Sequence, residues 1–143
     1  MCSRRLFVAL ALVLIAGFGL LWARVGMAQV GMKATTVLQT TTTASGQPLQ
    51  FPQSRSQFTG VVIELAPGGE VGRHMHPAPN FVYVLEGEIT IEAEGHPART
   101  YSAGQSFAES VNHWHNGFNR GSAPLKILVV FAGEEGKPVT VRP

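Results

Sequence analysis

Four of the five histidines fall in two short segments, and this clustering is the first sign of chemistry in the sequence. His74 and His76 are two residues apart, so on a β-strand both imidazoles would project from the same face. His115 could supply a third ring nitrogen from a neighbouring strand. Three converging neutral imidazoles are a typical site for a divalent transition metal (Fe, Mn, Zn, Ni or Cu) with open positions for water or substrate. The alternative is that they are polar residues at the rim of an empty binding cavity.

The segments that must position these histidines have the character of β-strands. Short runs of apolar and β-branched residues at 61–65, 81–85 and 126–131 are separated by turn residues, and no apolar period of 3.6 is long enough for a helix. In residues 88–94 apolar and polar side chains alternate, as they do in a strand with one face on the core and one in water. The sequence therefore predicts an all-β domain of about eight to ten strands, a barrel or a sandwich.

The amino-terminal residues have the composition of a targeting segment. Residues 6–22 contain no charged residue and follow the pair Arg4-Arg5. Gly26 and Ala28 suit positions −3 and −1 of a cleavage site, which predicts a signal peptide of residues 1–28. The alternative is an uncleaved membrane anchor formed by residues 6–22, a run at the short limit for spanning a bilayer. Either way we expect the protein to be exported, periplasmic or otherwise extracytoplasmic, and to contact the membrane only through this segment.

The charge balance argues against nucleic acid as a partner. The whole chain has 11 Lys+Arg and 9 Asp+Glu, a formal net charge of +2. Without residues 1–28, which contain Arg4, Arg5 and Arg24, there are 11 − 3 = 8 basic and 9 acidic residues, a net charge of −1. No basic stripe is left to neutralise phosphates. The one cysteine, Cys2, lies in the same segment, so the exported part has neither a disulfide nor a thiol nucleophile.

The remaining chain divides into a short approach and one domain. Residues 29–48 are rich in threonine and are interpreted as a linker or an edge strand. Residues 49–143 contain all the predicted strands and both histidine segments. Their length suits one domain with one hydrophobic core.

The two histidine segments resemble the two sequence motifs of the cupins. The first motif is Gly, five residues, His-x-His, three or four residues, Glu, six residues, Gly. The second is Gly, five residues, Pro-x-Gly, two residues, His, three residues, Asn. The residues of this chain that fit the two spacings are Gly68, His74, His76, Gly87, Gly104, His115 and Asn119.

This resemblance implies more about fold than about reaction, since one fold supports many activities. It implies a single-domain double-stranded β-helix, the jelly-roll barrel of the cupins. It also implies a metal site made of His74, His76 and His115. Dioxygenase or isomerase chemistry on a small organic molecule would suit such a site, and pairing of cupins through sheet edges would suit a homodimer.

The departures from the motifs concern the metal site and a turn. Asn80 stands where the first motif has glutamate, so the usual carboxylate is missing; the amide could bind the metal, orient a ligand or simply fill space. Ser110 and Asn112 replace the proline and glycine of the second motif, and asparagine tolerates a left-handed backbone better than other non-glycine residues. His113 shares side-chain parity with His115 and is a further candidate ligand, although a position at the barrel rim suits it better.

Two classes of function remain open. The first is a metal-dependent enzyme that acts on a small organic molecule. The second is a non-catalytic module that binds or senses a small ligand, with or without metal. In both, aromatic side chains that fill the barrel could also line the pocket, and the candidates are Phe81, Tyr83, Phe107 and Phe131.

Overall fold

The structure is a computed structural model that describes residues 31–143. All regular elements in this part of the chain are β-strands, which confirms the predicted fold class. There are seven rather than the eight to ten expected, because segments such as residues 70–76 pair only through single bridges. The strands are β1 Ser56–Leu65, β2 Asn80–Glu86, β3 Glu88–Ala93, β4 Arg99–Ser102, β5 Ser106–Phe107, β6 His115–Phe118 and β7 Leu125–Glu134.

The strands form two antiparallel sheets, with the order β1-β7-β2-β5 in one and β4-β3-β6 in the other. Side chains from both sheets, including Ile63 and Ile127 of the first and Ile89 and Ile91 of the second, line a common interior cavity. This arrangement is the predicted jelly-roll barrel, and the histidines lie in its interior.

The core is built from alternate residues of β2 and β7. Val82 and Val129 are direct partners in the ladder, and both are almost fully buried. Because side chains alternate across a strand, the same face of β2 carries Asn80, Val82 and Val84 inward. On β7 the inward residues are Leu125, Ile127, Val129 and Phe131.

Two residues of the cupin-like motifs, Gly87 and Asn119, have structural roles in the barrel. Gly87 has φ 72°, and a Cβ at this position would lie 2.5 Å from the carbonyl oxygen of Pro124, so the turn requires glycine. Asn119 is 1% exposed, and its side-chain amide donates to the carbonyls of Leu65 at 3.0 Å and Ala123 at 2.9 Å. Its Oδ1 accepts from the backbone N–H of Gly121 at 3.1 Å. Asn119 therefore joins the end of β1 to the loop before β7.

The left-handed turn expected at Asn112 is present. Asn112 has φ 53°, and among residues 31–143 it is the one non-glycine with positive φ. Its backbone N–H donates to the carbonyl of His76 at 2.7 Å. This hydrogen bond ties the turn before β6 to the first histidine segment.

Part of the threonine-rich approach packs on the barrel. Thr42 and Pro48 pair in a bridge that closes a turn, and the backbone N–H of Ala44 donates to the carbonyl of Ala108 at 2.8 Å. Residues 40–48 therefore cover the chain just before β6 without forming a strand. The predicted targeting segment, residues 1–28, lies outside the described residues. No helix within residues 31–143 is long and apolar enough to cross a membrane.

Candidate metal centre

The first and third histidines are cross-strand partners. The backbone N–H of His74 donates to the carbonyl of His115, and the N–H of His115 donates back to the carbonyl of His74, both at 2.9 Å. His76 follows two residues later on the same face and pairs with Val111 through a bridge. This pairing of distant segments brings the three imidazoles together, as the sequence predicted.

Hydrogen bonds on the other ring nitrogens fix the tautomer of each imidazole. The Nδ1 atoms of His74, His76 and His115 lie 2.7, 2.8 and 2.8 Å from the backbone carbonyls of Gly72, Val139 and His113. A carbonyl oxygen can only accept, so each Nδ1 carries a proton and donates it. In the neutral rings each Nε2 then presents a lone pair, which is the arrangement of a metal-ligating histidine with an oriented second nitrogen.

The three Nε2 lone pairs face one another, as the ligand atoms of a shared cation do. The candidate ligand atoms of the three residues lie within 4.8 Å of one another, and Nε2 of His74 and Nε2 of His76 are 3.2 Å apart. Nε2 of His115 is buried without a hydrogen-bond partner. Two nitrogens each about 2.1 Å from one ion and about 90–110° apart would be about 3.0–3.4 Å from each other. The donor set and its spacing therefore fit a divalent transition metal.

Burial keeps His74 in the neutral, ligating form. Removal from water lowers the pKa of His74 from 6.5 to about 4, and the neighbouring imidazoles of His115 and His76 act in the same direction. The hydrogen bond to the Gly72 carbonyl and the charge of Glu109 oppose this change but do not reverse it. At neutral pH no proton competes with a metal for this nitrogen.

The carboxylate of Glu109, a residue that was not among the predicted site residues, lies beside the histidines. Glu109 Oε2 is 3.2 Å from Nε2 of His76, and Glu109 Oε1 is 3.6 Å from Nε2 of His115. Burial alone would raise the pKa of Glu109, but in the metal-free protein the hydrogen bond and positive charge of His76 with a proton on Nε2, the positive charge of protonated His115 and the amide of Asn80 hold it below its usual range. A metal bound by the Nε2 atoms would supply this positive charge in place of the protons. Glu109 is therefore an anion whose carboxylate faces His76 and His115.

Asn80 binds this carboxylate. Its amide Nδ2 donates to Glu109 Oε2 at 2.8 Å, and its Oδ1 accepts from the backbone N–H of Glu109 at 3.0 Å. Both ends of the Asn80 side chain are thus occupied by one residue. These contacts add a role to those that the sequence left open for Asn80: its side chain orients a neighbouring carboxylate.

Two cavities meet at Glu109. One, of about 130 Å³, is the barrel interior; it reaches His74, His76 and Glu109 and is otherwise lined mainly by aliphatic side chains, with Arg142 and Thr140 among the polar residues. The other, of about 40 Å³, reaches Glu109 and His115 from the side of His96. The carboxylate therefore lies between a cavity large enough for an organic molecule and a narrow one.

The remaining candidate ligand does not join this cluster. Nε2 of His113 is 2.6 Å from the backbone carbonyl of Glu94, and its ring lies against that of His96, with centroids 5.3 Å apart. His113 does not share the inward direction of His115, because β6 begins only at His115 and His113 belongs to the irregular chain before it. The rim position considered for His113 agrees with this placement.

The four aromatic candidates separate into two pairs. Phe131 lines the larger cavity, with its ring centroid 4.8 Å from that of His76, and Phe107 lines the smaller one, stacked on Tyr101. Phe81 and Tyr83 occupy the face of β2 opposite to Asn80 and Val82, so they point away from the histidines. The sequence of β2 does not specify its inward face, because both faces carry apolar residues.

One sequence feature could have pointed to Glu109. It is the only charged residue between Gly104 and Val111, an otherwise uncharged stretch inside the second motif. A carboxylate surrounded by such residues is unusual unless it has a partner, because burying an unpaired charge is costly. Its irregular local structure gave no period from which its direction could be read.

Comparison with known proteins identifies the family. Residues 61–131 match the family model of the cupin domain. The chain belongs to the cupin superfamily. No curated protein is significantly similar to it in sequence. The matched residues include both histidine segments, Asn80 and Glu109.

Solved structures show the same cupin fold. The DMSP lyase DddQ from Ruegeria pomeroyi is 26% identical, with a TM-score of 0.52 over 59% of this chain and 42% of that one. Oxalate decarboxylase from Bacillus subtilis, described with Mn(II) centres, is 26% identical, with a TM-score of 0.52 over 62% of this chain and 24% of the decarboxylase. An uncharacterised protein with a double-stranded β-helix domain from Klebsiella pneumoniae is 18% identical, with a TM-score of 0.52 over 65% of this chain and 88% of that one. This cupin spans less than half of the lyase and about a quarter of the decarboxylase.

Proposed function

We propose that this cupin binds one divalent transition metal through the Nε2 atoms of His74, His76 and His115, and that the site acts on a small organic molecule in the adjacent cavity. The observation that carries the proposal is the tautomer of the histidines: three Nδ1–H groups donate to carbonyls, which leaves three Nε2 lone pairs facing one another. A bound divalent metal would supply Lewis-acid polarisation of a substrate oxygen.

The larger cavity limits the size and character of the substrate. An apolar cavity of about 150 Å³ holds benzene, and the cavity beside the histidines is slightly smaller, at about 130 Å³. Its walls include Ile63, Ile127 and Val129, which suit a compact hydrocarbon portion. Arg142 also lines it and is exposed, so the opening carries a positive charge. We infer a small substrate with an apolar part and an anionic group.

The structural neighbours support chemistry on a small molecule, and the oxalate decarboxylase supports a metal-dependent site. One is a DMSP lyase and another is an oxalate decarboxylase with Mn(II) centres, and both exceed 25% identity to this chain. A lyase or decarboxylase reaction therefore stands beside the dioxygenase and isomerase reactions that the cupin resemblance implies. Because this chain spans only part of each neighbour, their activities are guides for a substrate screen.

Metal analysis is the first test. Protein purified without chelator should contain about one divalent transition metal per chain, and the metal-free protein should regain it from Mn(II), Fe(II) or Zn(II). A ligand at one hundred times its Kd stabilises the folded state by about 2.7 kcal/mol, so the added metal should raise Tm by several degrees and EDTA should reverse the rise. Absence of both binding and stabilisation would refute the metal site.

The competing function is a binding or sensing module. It shares the cavity and the histidines, so metal content alone does not separate it from an enzyme. The metal-loaded protein should be screened against small aliphatic and aromatic carboxylates, with binding and turnover measured on the same compounds. Saturable binding without turnover of any bound compound would favour the module.

Export and dimerisation remain predictions of the sequence. We propose that residues 1–28 direct the protein out of the cytoplasm, as a cleaved signal peptide or through an anchor at residues 6–22. Cell fractionation and the amino-terminal sequence of the mature protein would separate these two fates. A homodimer through a sheet edge would be detected by analytical ultracentrifugation.

A further inference from the structure

We propose that Glu109 is the fourth protein ligand of the metal site, and that Asn80 is the residue that positions it. The carboxylate of the first cupin motif would thus have moved to the chain before β6, with an amide left in its former place. This inference rests on the proposed metal site, whose three-histidine set it extends.

Distance is the first support. The Glu109 oxygens lie 3.2 Å from Nε2 of His76 and 3.6 Å from Nε2 of His115. The shorter distance equals the separation of the Nε2 atoms of His74 and His76, 3.2 Å, and the longer one is that of two ligands about 2.1 Å from a shared ion at an angle of about 120°. Each oxygen of the Glu109 carboxylate therefore lies near the Nε2 atom of one histidine, Oε2 near His76 and Oε1 near His115.

Charge is the second support. Three neutral imidazoles around a divalent ion would leave two positive charges in a site whose histidines are 3–5% exposed. Burying such charge without an anion is costly. The Glu109 side chain is 10% exposed, and it supplies one negative charge at the site itself. The other charged group that lines the same cavity, Arg142, is a cation and cannot take this role.

The hydrogen bonds of Asn80 explain how the carboxylate keeps its direction. Glu109 lies in irregular chain between β5 and β6, where no strand pairing orients its side chain. Asn80 is 6% exposed on β2 and binds both the backbone N–H and the Oε2 of Glu109. A glutamate at position 80 would oppose this carboxylate, whereas an amide can donate to it. The exchange of Glu for Asn in the first motif and the presence of Glu109 are therefore two parts of one arrangement.

If Glu109 binds the metal, its carboxylate should affect the affinity for Mn(II) more than the affinity for Zn(II). Carboxylate oxygen suits Mn(II), whereas imidazole suits Zn(II) well by itself. The test compares wild type with Glu109→Gln, which keeps the shape of the side chain and removes the charge. We expect the Kd for Mn(II) to rise at least tenfold and the Kd for Zn(II) to rise less. The Mn(II) electron paramagnetic resonance spectrum of the bound ion should also change.

Two further variants test the relation between the residues. Asn80→Ala keeps the carboxylate but frees it, so the Kd for Mn(II) should rise several-fold, less than in Glu109→Gln. Asn80→Glu combined with Glu109→Gln returns the carboxylate to the motif position and should recover Mn(II) affinity relative to Glu109→Gln alone. Glu92→Gln removes a carboxylate that is paired with Arg120 at the surface and serves as the matched control, with wild-type affinity expected.

The outcomes separate this inference from the function on which it rests. If wild type binds neither Mn(II) nor Zn(II), the metal site and the role of Glu109 both fail. If wild type binds metal and folded Glu109→Gln binds Mn(II) with the same Kd and the same spectrum, only the role of Glu109 fails. If Glu109→Gln does not fold, Asn80→Ala decides: an unchanged Kd and spectrum would overturn the proposal.

Discussion

Asn80 and Glu109 exchange two hydrogen bonds, one from the amide Nδ2 to the carboxylate at 2.8 Å and one from the backbone N–H of Glu109 to Oδ1 at 3.0 Å. The residue that departs from the cupin motif is therefore the residue that holds the acidic group at the site. This pairing changes what a simple restoration of the motif would do.

Asn80→Glu alone should destabilise the metal-free protein. The new carboxylate would face Glu109 in a buried site, and the amide donor to Oε2 would be lost. We expect the free energy of unfolding to fall by about 2 kcal/mol or more in urea titrations at pH 7. Adding Glu109→Gln should restore most of the loss, because it removes the repulsion. Equal stability of Asn80→Glu and wild type would show that the two side chains do not share a site.

Loss of any one of the three histidines should abolish most metal binding. Changing His74, His76 or His115 to Ala removes a nitrogen ligand and leaves an incomplete site, so the metal content should fall from about one to well below one half per chain. His96→Ala is the matched control, since His96 is not in the three-histidine cluster. Inductively coupled plasma mass spectrometry measures the content, and circular dichroism checks the fold. Full stoichiometry in His76→Ala or His115→Ala would exclude the three-histidine site.

Acid should destabilise the metal-free protein. The pKa of His74 is 6.5 in the unfolded reference and about 4 when folded, so the unfolded state takes up the proton first as pH falls. Stability is then lost between about pH 6.5 and pH 4, by about 3 kcal/mol in total from this group. Glu109, whose folded pKa is lowered, contributes stability that is present above its unfolded pKa and lost at still lower pH.

Urea titrations in EDTA at several pH values measure this dependence. His74→Gln removes the titrating ring, so its stability should vary less between pH 6.5 and pH 4.5 than that of wild type. The same slope in both proteins would mean that His74 is not the group responsible.

Asn119→Ala should lower the free energy of unfolding without lowering the metal content. The change removes two donors to the carbonyls of Leu65 and Ala123 and one acceptor for the N–H of Gly121, all in a buried corner. We expect a loss of about 2–4 kcal/mol in the free energy of unfolding. Metal content of the folded variant should match wild type. A stable variant that has lost its metal would assign Asn119 to the site instead.

The export prediction can be tested through the arginine pair. Residues 3–8 resemble the twin-arginine signal, and that route would let the protein fold around its metal before export, away from copper and zinc, which bind nitrogen sites more tightly than manganese or iron. Changing Arg4 and Arg5 to Lys keeps the charge and removes the pair, so the exported fraction should drop sharply if the twin-arginine route is the one used. Normal export would mean that the arginines act only as positive charges of a general secretory signal or an anchor.

The sequence by itself determined the all-β class, the cupin fold and the three histidines that come together. Strand periodicity, a local property, predicted that His74 and His76 share a face. The resemblance to the cupin motifs implied the barrel and the place of His115 beside them. Only the tertiary structure decided that a carboxylate, that of Glu109, lies beside the histidines. Glu109 lies in irregular chain, and its direction depends on Asn80, 29 residues away on another strand. Packing likewise decided the inward face of β2: Asn80 and Val82 point inward, and Phe81 and Tyr83 point outward. The sequence could not decide this, because a strand that is apolar on both faces does not specify which face meets the core.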